Sequence, residues 1–190
     1  SLHITVVVTQ IPEPPVITSS ATPSVEENMT AVVTLSATDP EGDSIGFSLV
    51  GGVDQNLFNI NGANLSFLSA PDYENPSDDD GNNVYDLQIQ ADDGTGNQVT
   101  QNVLVTVTNV NEAPAFANNA TPSVVENTTA VVTLSATDPE GDSVGFSIIG
   151  GVDQELFSLV GANLSFALAP DYESPGDVGS DNVYEVQVQA

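Results

Sequence analysis

The 190-residue chain carries 27 carboxylates, a single histidine and neither lysine nor arginine, a formal charge of −27. With no basic side chain beyond His3, nothing in it can grip nucleic acid or an anionic lipid surface, form a lysine Schiff base or isopeptide, or cradle a nucleotide phosphate. The absence of cysteine removes disulfides, thiolate metal sites and thiol nucleophiles.

Taken in chain order, the pattern is period two throughout, and no segment reads as a helix of useful length. Residues 1–11 form a short apolar run that ends in the proline- and acid-bearing stretch Thr9-Gln-Ile-Pro-Glu-Pro-Pro15. From Ala31 to Thr38 the alternation points Val33, Leu35 and Ala37 inward and Thr34 and Ser36 outward. In Val84 to Ala91, Tyr85, Leu87, Ile89 and Ala91 share one face against Asp86, Gln88 and Gln90. Between Val99 and Thr108 the inward set is Val103, Val105 and Val107. Turn residues separate the runs: Pro40-Glu-Gly-Asp43, Gly51-Gly52, Asn61-Gly62, Pro76 to Asn83 and Asp92-Asp-Gly94. Phe47, Phe58, Phe67 and Tyr73, with Phe146, Phe157, Phe166 and Tyr172, recur at positions expected to face a core. No apolar run is long enough for a spanning helix, and no basic region precedes an apolar stretch as a secretory leader would require.

The text is also written twice. Ala21-Thr-Pro-Ser-Val-Glu-Glu-Asn-Met-Thr-Ala-Val-Val-Thr-Leu-Ser-Ala-Thr-Asp-Pro-Glu-Gly-Asp-Ser44 returns 99 residues later from Ala120 to Ser143, and the register holds without a gap to Ala91 and Ala190. A period of this size means tandem copies of one small domain. Strands of this length and spacing predict an all-β fold: tandem Greek-key, immunoglobulin-like antiparallel β-sandwiches of about seven strands each. The expected division is residues 1–13 as the last strand and linker of a preceding repeat, 14–112 as repeat 1, and 113–190 as repeat 2 without its final strand. An edge left open in that way invites strand addition.

The order Phe47-Ser-Leu-Val-Gly-Gly-Val-Asp54, Leu57-Phe-Asn-Ile60, Asn64-Leu-Ser-Phe67, Pro71-Asp-Tyr-Glu74, Tyr85-Asp-Leu-Gln-Ile-Gln-Ala-Asp-Asp-Gly94 and Asn109-Val-Asn-Glu-Ala-Pro114 resembles the cadherin repeats, in the form common in large bacterial surface proteins. That resemblance covers essentially the whole chain. It implies Ca2+ held between successive repeats by acids from the base of one sandwich, the linker and the top of the next. Matched motif by motif, it places ligands at Glu27, Asp72 and Glu74, at linker residues Asn109, Asn111 and Glu112, and at Asp138 and Glu140. The upstream set is Glu13, Asp39, Glu41 and Asp92, and the downstream equivalents are Glu126, Asp171 and Glu173. Asn109 replaces the family's first linker acid, Glu140 is longer by a methylene, and Gln10 and Pro12 replace two upstream asparagines, so one or two ions at the central junction are expected.

Ligand chemistry supports the same assignment. Ca2+ takes six to eight oxygens and asks for no imidazole or thiolate, and two carboxylates about 4 Å apart repel by about 1 kcal/mol in water and about 4 kcal/mol at an effective dielectric of 20. With no lysine or arginine to relieve that repulsion, an oxygen-bound metal is the staple this composition leaves open. Asp-Pro-Glu-Gly-Asp and Asp-Asp-Gly also stand as ordinary turn sequences, and Ser77 to Gly81 and Asp177 to Asp181 read as solvated loops.

The functional expectation is a non-catalytic, calcium-stiffened extracellular spacer or adhesion module. Its partners would be neighbouring repeats, further copies in homophilic or head-to-tail contact, or a cell-surface or glycan ligand. Two alternatives are a filament subunit joined by strand donation from residues 2–10, and a carbohydrate-binding module. The second must work without tryptophan and with only four tyrosines.

Overall fold

A computed structural model describes all 190 residues, which divide into two compact units, Ser1–Val110 and Asn111–Ala190. Regular structure is almost entirely β, with two single-turn 3-10 segments, Gln55–Leu57 and Gln154–Leu156.

Residues 1–15 of unit 1 form no strand, and Leu2, Ile4, Val6, Val7, Val8 and Ile11 are solvent-exposed. The strands that follow are β1 (Val16–Ile17), β2 (Ser24–Glu26), β3 (Ala31–Thr34), β4 (Ala37–Thr38), β5 (Gly46–Gly51), β6 (Phe58–Asn61), β7 (Asn64–Phe67), β8 (Val84–Asp92) and β9 (Gln98–Thr108). One sheet runs β2-β9-β8-β5 and the other β3-β7-β6, which makes the seven-stranded sandwich, with β1 and β4 as a short separate ladder. The alternation along β8 and β9 is the reason both are strands. Tyr85, Leu87, Ile89, Ala91, Val103, Val105 and Val107 are all buried, and alternate residues face out. Every one of the ladders is antiparallel except β2 with β9, where Ser24, Val25 and Glu26 run parallel to Thr106, Val107 and Thr108.

The run from Ala31 to Thr38 is two strands rather than one. A register shift between Ala31 and Val33 bends β3, and the chain leaves the β7 ladder before β4 pairs with β1. The inward set still holds, since Leu35 is buried and Val33 and Ala37 are half-buried. Phe58 and Phe67 pack with centroids 4.1 Å apart and rings tilted by 35°, and Tyr85 meets Phe67 edge-on at 5.0 Å. Such pairs add about 1 kcal/mol each beyond buried area. Tyr73 and Tyr172, expected in the core, are exposed instead: their backbone N–H groups are held by the Glu27 and Glu126 carboxylates and their rings stay outside.

Unit 2 repeats the plan with β10 (Ala115–Phe116), β11 (Ala130–Thr133), β12 (Ala136–Thr137), β13 (Ser147–Gly150), β14 (Phe157–Val160), β15 (Asn163–Phe166) and β16 (Gln187–Gln189). Its ladders are β11-β15-β14, β13-β16 and β10-β12. β16 pairs with β13 alone, and residues 123–125, the counterpart of β2, form no strand. Tyr184, Val186, Val188 and Ala190 are consequently half-buried, whereas Tyr85, Leu87, Ile89 and Ala91 at the same places in unit 1 are at most 2% exposed.

Candidate metal-binding ends of each unit

At one end of unit 1 the parallel β2–β9 ladder brings Glu27 beside the start of the linker. Its carboxylate is 2% exposed. One oxygen accepts the Tyr73 N–H at 2.8 Å and the other the Val110 N–H at 2.8 Å. Asn28 follows in the left-handed region (φ 63°), a conformation asparagine tolerates, and its N–H reaches the Pro71 carbonyl at 2.9 Å. This hairpin-like contact sets the Asp72–Glu74 segment against Glu27. Carboxylate oxygens of Glu27 and Glu74 lie within 4.8 Å of each other, and the Asn109 amide donates to Glu74 at 2.6 Å. Asp72 accepts the Asn75 N–H at 3.0 Å, as a turn cap does.

The opposite end of unit 1 is organised by the Asp39-Pro-Glu-Gly-Asp43 turn. One Asp39 oxygen accepts the N–H groups of Glu41 and Asp43 at 2.9 and 3.0 Å, and the other is buried with no hydrogen-bond partner. Glu41 accepts the Gln10 amide and the Glu13 N–H, both at 3.0 Å. The side chain of Asp92 is occupied by Gly94 N–H (2.7 Å) and the Gln98 amide (2.6 Å).

Unit 2 carries Glu126, Asp138, Glu140, Asp171 and Glu173 at its two ends, 99 positions on from Glu27, Asp39, Glu41, Asp72 and Glu74. Glu140 accepts the Glu112 N–H at 3.3 Å, as Glu41 does for Glu13, while its other oxygen is buried without a partner. Asp138 accepts the Asp142 N–H at 3.1 Å, and the Asn111 amide donates to the Glu112 carbonyl at 3.2 Å. At the other end Glu126 accepts the Tyr172 N–H at 3.1 Å, and carboxylate oxygens of Glu126, Asp171 and Glu173 lie within 4.8 Å of one another.

These ends suit a hard dication. All their donors are carboxylate, amide or backbone oxygens. The stranded oxygens of Asp39 and Glu140 are buried acceptors that a cation would satisfy, in a chain that offers no lysine or arginine to do so.

A second class of acids escaped the sequence reading. Asp54 and Asp153 are buried and each bridges two main-chain N–H groups: Asp79 and Asp86 for the first, Val178 and Glu185 for the second, all at 2.8–2.9 Å. Asp78 and Asp177 do the same for Asn82 and Asn83 and for Asp181 and Asn182. The only signal in the sequence was the repetition of Gly-Gly-Val-Asp and of the loop aspartate at the period. Asp93 is also buried. Its burial opposes ionisation, but the Asn97 amide and the N–H groups of Thr95 and Asn97 outweigh it and hold the carboxyl down at about 2. A carboxyl lowered from 3.8 on folding adds stability that is complete above the unfolded value and is lost as pH falls from about 4 toward 2. Thermal melts of Asp93→Asn are therefore expected to show a shallower acid limb than wild type over that interval; superimposable limbs would remove Asp93 from the acid response.

The profile of the bacterial Ig domain matches residues 12–106, half of the sequence. The chain belongs to the bacterial Ig domain family. Among solved structures, this bacterial Ig chain is similar to human protocadherin-24 EC1-2 at 18% identity, with 95% of this chain and 94% of that one covered and a TM-score of 0.53. A second crystal form of the same human fragment gives 17% identity, 93% coverage of both chains and a TM-score of 0.54. Drosophila N-cadherin EC1-4 gives 20% identity and a TM-score of 0.50, with 93% of this chain matched to 45% of that one. At these identities the likeness is one of fold. No curated protein matches the chain. No helix is long and apolar enough to cross a membrane.

Proposed function

We propose that the chain is a calcium-binding, non-catalytic extracellular spacer and adhesion module, in which ions stiffen the linkers between tandem Ig-like repeats. Glu27, Asp72 and Glu74 with Asn109 would hold calcium at one end of a repeat, and Asn111, Glu112, Asp138 and Glu140 at the start of the next. Glu13, Asp39, Glu41 and Asp92 form the upstream set, and Glu126, Asp171 and Glu173 the downstream one. The observation that carries the reading is the gathering of acids at the repeat ends with buried oxygens of Asp39 and Glu140 left unpaired, in a chain of charge −27 without lysine or arginine.

The physical role follows from that charge. Without metal, carboxylates brought to one place repel and favour an open, mobile linker. With Ca2+ the same groups converge on one centre, and the Glu13 and Glu112 backbone contacts to Glu41 and Glu140 fix where the linker enters each unit. Extracellular modules bind calcium at roughly 10⁻⁴–10⁻³ M, so the ion concentrations outside cells would keep such sites filled. Small-angle scattering in about 10 mM calcium and in chelator is the direct test, since that concentration is well above such dissociation constants. The distribution of particle dimensions is expected to narrow with calcium. One profile shared by both conditions would overturn the proposal.

A further inference from the structure

We propose that Asn61 is a site of spontaneous hydrolytic deamidation: the Gly62 backbone nitrogen closes its side-chain amide into a succinimide, which water opens to aspartate and isoaspartate. The pair stands at the tip of the β6–β7 hairpin, where Asn61 faces Asn64 across the connection Gly62-Ala63. Both Asn61 and Gly62 are exposed. Asparagine is a thermolabile residue in general, and three features single out this one.

The first is an unoccupied side chain. Asn59 and Asn64 share the hairpin, but Asn59 accepts the Ser66 hydroxyl and Asn64 accepts the Thr34 hydroxyl. Neither the Asn61 side-chain amide nor the Gly62 N–H makes a hydrogen bond. The second is the attacking nitrogen. Gly62 has φ +63° and nothing near the place of a Cβ, so its nitrogen is not crowded. Every other asparagine in the chain is followed by a residue that carries a Cβ. The third is the leaving group, since a neutral amide departs as ammonia whereas a carboxylate must first be protonated to leave as water. The two Asp-Gly pairs, Asp80-Gly81 and Asp93-Gly94, are also engaged elsewhere. Asp80 accepts the Asn82 amide at 2.7 Å, Asp93 accepts the N–H groups of Thr95 and Asn97, and the Gly94 N–H is held by Asp92 at 2.7 Å.

The chemistry balances as one water in and one ammonia out. The Gly62 nitrogen gives its proton to solvent base and bonds to the Asn61 Cγ, and the amide nitrogen leaves with that proton. Water then adds to either imide carbonyl. Breaking the bond to Cγ restores the main chain with aspartate. Breaking the bond to the main-chain carbonyl carbon leaves isoaspartate, whose backbone runs through Cβ and Cγ. Both products add a negative charge to a chain already at −27. Isoaspartate also lengthens the main chain by one carbon, in a ladder that pairs Ile60 with Leu65 and Phe58 with Phe67. Leu65 and Phe67 are 1 and 5% exposed, so the extra carbon strains the edge of the core.

Unit 2 supplies an internal control. Val160-Gly161 takes the same turn, with Gly161 at φ +60° and Val160 facing Asn163, but valine offers no carbonyl carbon to attack. Asn61 is not among the proposed calcium ligands, so this inference and the calcium reading fail separately.

The experiment stores the full 190-residue chain, folded, in neutral to mildly alkaline buffer. Anion exchange is expected to resolve a growing acidic species, and peptide mapping to place a single –NH2 to –OH mass change at Asn61. Its rate should rise in proportion to hydroxide. In heavy-oxygen water one labelled oxygen should enter that residue, and an isoaspartyl methyltransferase should methylate part of the product. The isolated isoaspartyl form is expected to melt below the aspartyl form. Asn61→Val, the residue that unit 2 carries in this turn, should fold and abolish the acidic species. Acidic species arising at other asparagines in place of Asn61, Asn61→Val ageing at the wild-type rate, or a change at Asn61 confined to the denatured chain would each overturn the proposal.

Discussion

If calcium is held at the repeat ends as proposed, Glu27→Gln is expected to leave unit 1 folded in chelator while removing most of the stabilisation that the ion would provide. Glutamine keeps one carbonyl oxygen for the Tyr73 or Val110 N–H and leaves the other without an acceptor, so about 1 kcal/mol should be lost in chelator. Calcium at ten to a hundred times its dissociation constant stabilises the folded state by about 2 kcal/mol per site, roughly 10 °C for a domain of this size. The neutral amide withdraws one charge from that site, and the calcium-dependent rise should shrink accordingly. Glu27→Ala makes the contrast: both N–H groups lose their acceptor, and about 2 kcal/mol is expected to be lost even in chelator. Calorimetry of the three proteins with and without calcium separates the roles. Equal calcium-induced shifts in wild type and Glu27→Gln would show that Glu27 only fastens the backbone.

That separation matters because the acids of this chain do two different jobs with the same side chain. Glu27, Glu41 and Glu140 reach from their own turn or strand end to a main-chain N–H on another segment, and they also sit where the repeat ends collect charge. Asp54, Asp78 and Asp93 spend both oxygens, or one oxygen several times over, on nearby N–H groups and pin loops. Spacing alone does not tell the two apart. An acid followed by glycine, as in Glu41-Gly42 and Asp93-Gly94, reads as a turn in either case, and for Asp54 the N–H groups that converge on it come from residues up to 32 positions away.

The strands, by contrast, were legible because one face of each long strand is dry. Tyr85, Leu87, Ile89 and Ala91 alternate with polar residues because β8 separates a core from solvent, and the same holds for Val103, Val105 and Val107 on β9. Where a strand changes ladders the pattern gives no warning. Val33, Leu35 and Ala37 keep their inward face through the bend between β3 and β4, so hydrophobicity continues while pairing does not. The parallel β2–β9 ladder was equally hidden, since three residues of Ser-Val-Glu carry no sign of direction. Tyr73 and Tyr172 look like core aromatics by composition, but the Glu27 and Glu126 carboxylates take up their backbone N–H groups and the rings stay exposed.

The largest purely steric effect is expected at Gly52. This residue follows β5 with φ +99°, where it crosses directly over β8. A methyl group there would stand 2.2 Å from the Asp86 carbonyl oxygen and 2.4 Å from the Leu87 Cα, both backbone atoms that cannot swing aside. The same crossing sets the 3.2 Å bond from Asp54 N–H to the Asp86 carbonyl and the 2.8 Å bond from Asp86 N–H to the Asp54 carboxylate. Gly52→Ala must therefore push β8 away from the Asp54 turn and break a ladder edge as well as strain the backbone. A loss above about 4 kcal/mol is expected, in the range reserved for severe core or backbone conflicts. Unit 2 carries its own copy of the constraint, since a methyl on Gly151 (φ +106°) would lie 2.4 Å from the Glu185 carbonyl oxygen. Two further alanines divide the effect into its causes. Gly42 has φ +83° but open space around it, so its cost should be conformational, about 1 kcal/mol. Gly145 has neither a positive φ nor a near neighbour and should change stability by less than about 0.5 kcal/mol. Chemical denaturation that ranked Gly52→Ala with Gly42→Ala would mean the strand crossing is looser than these distances require.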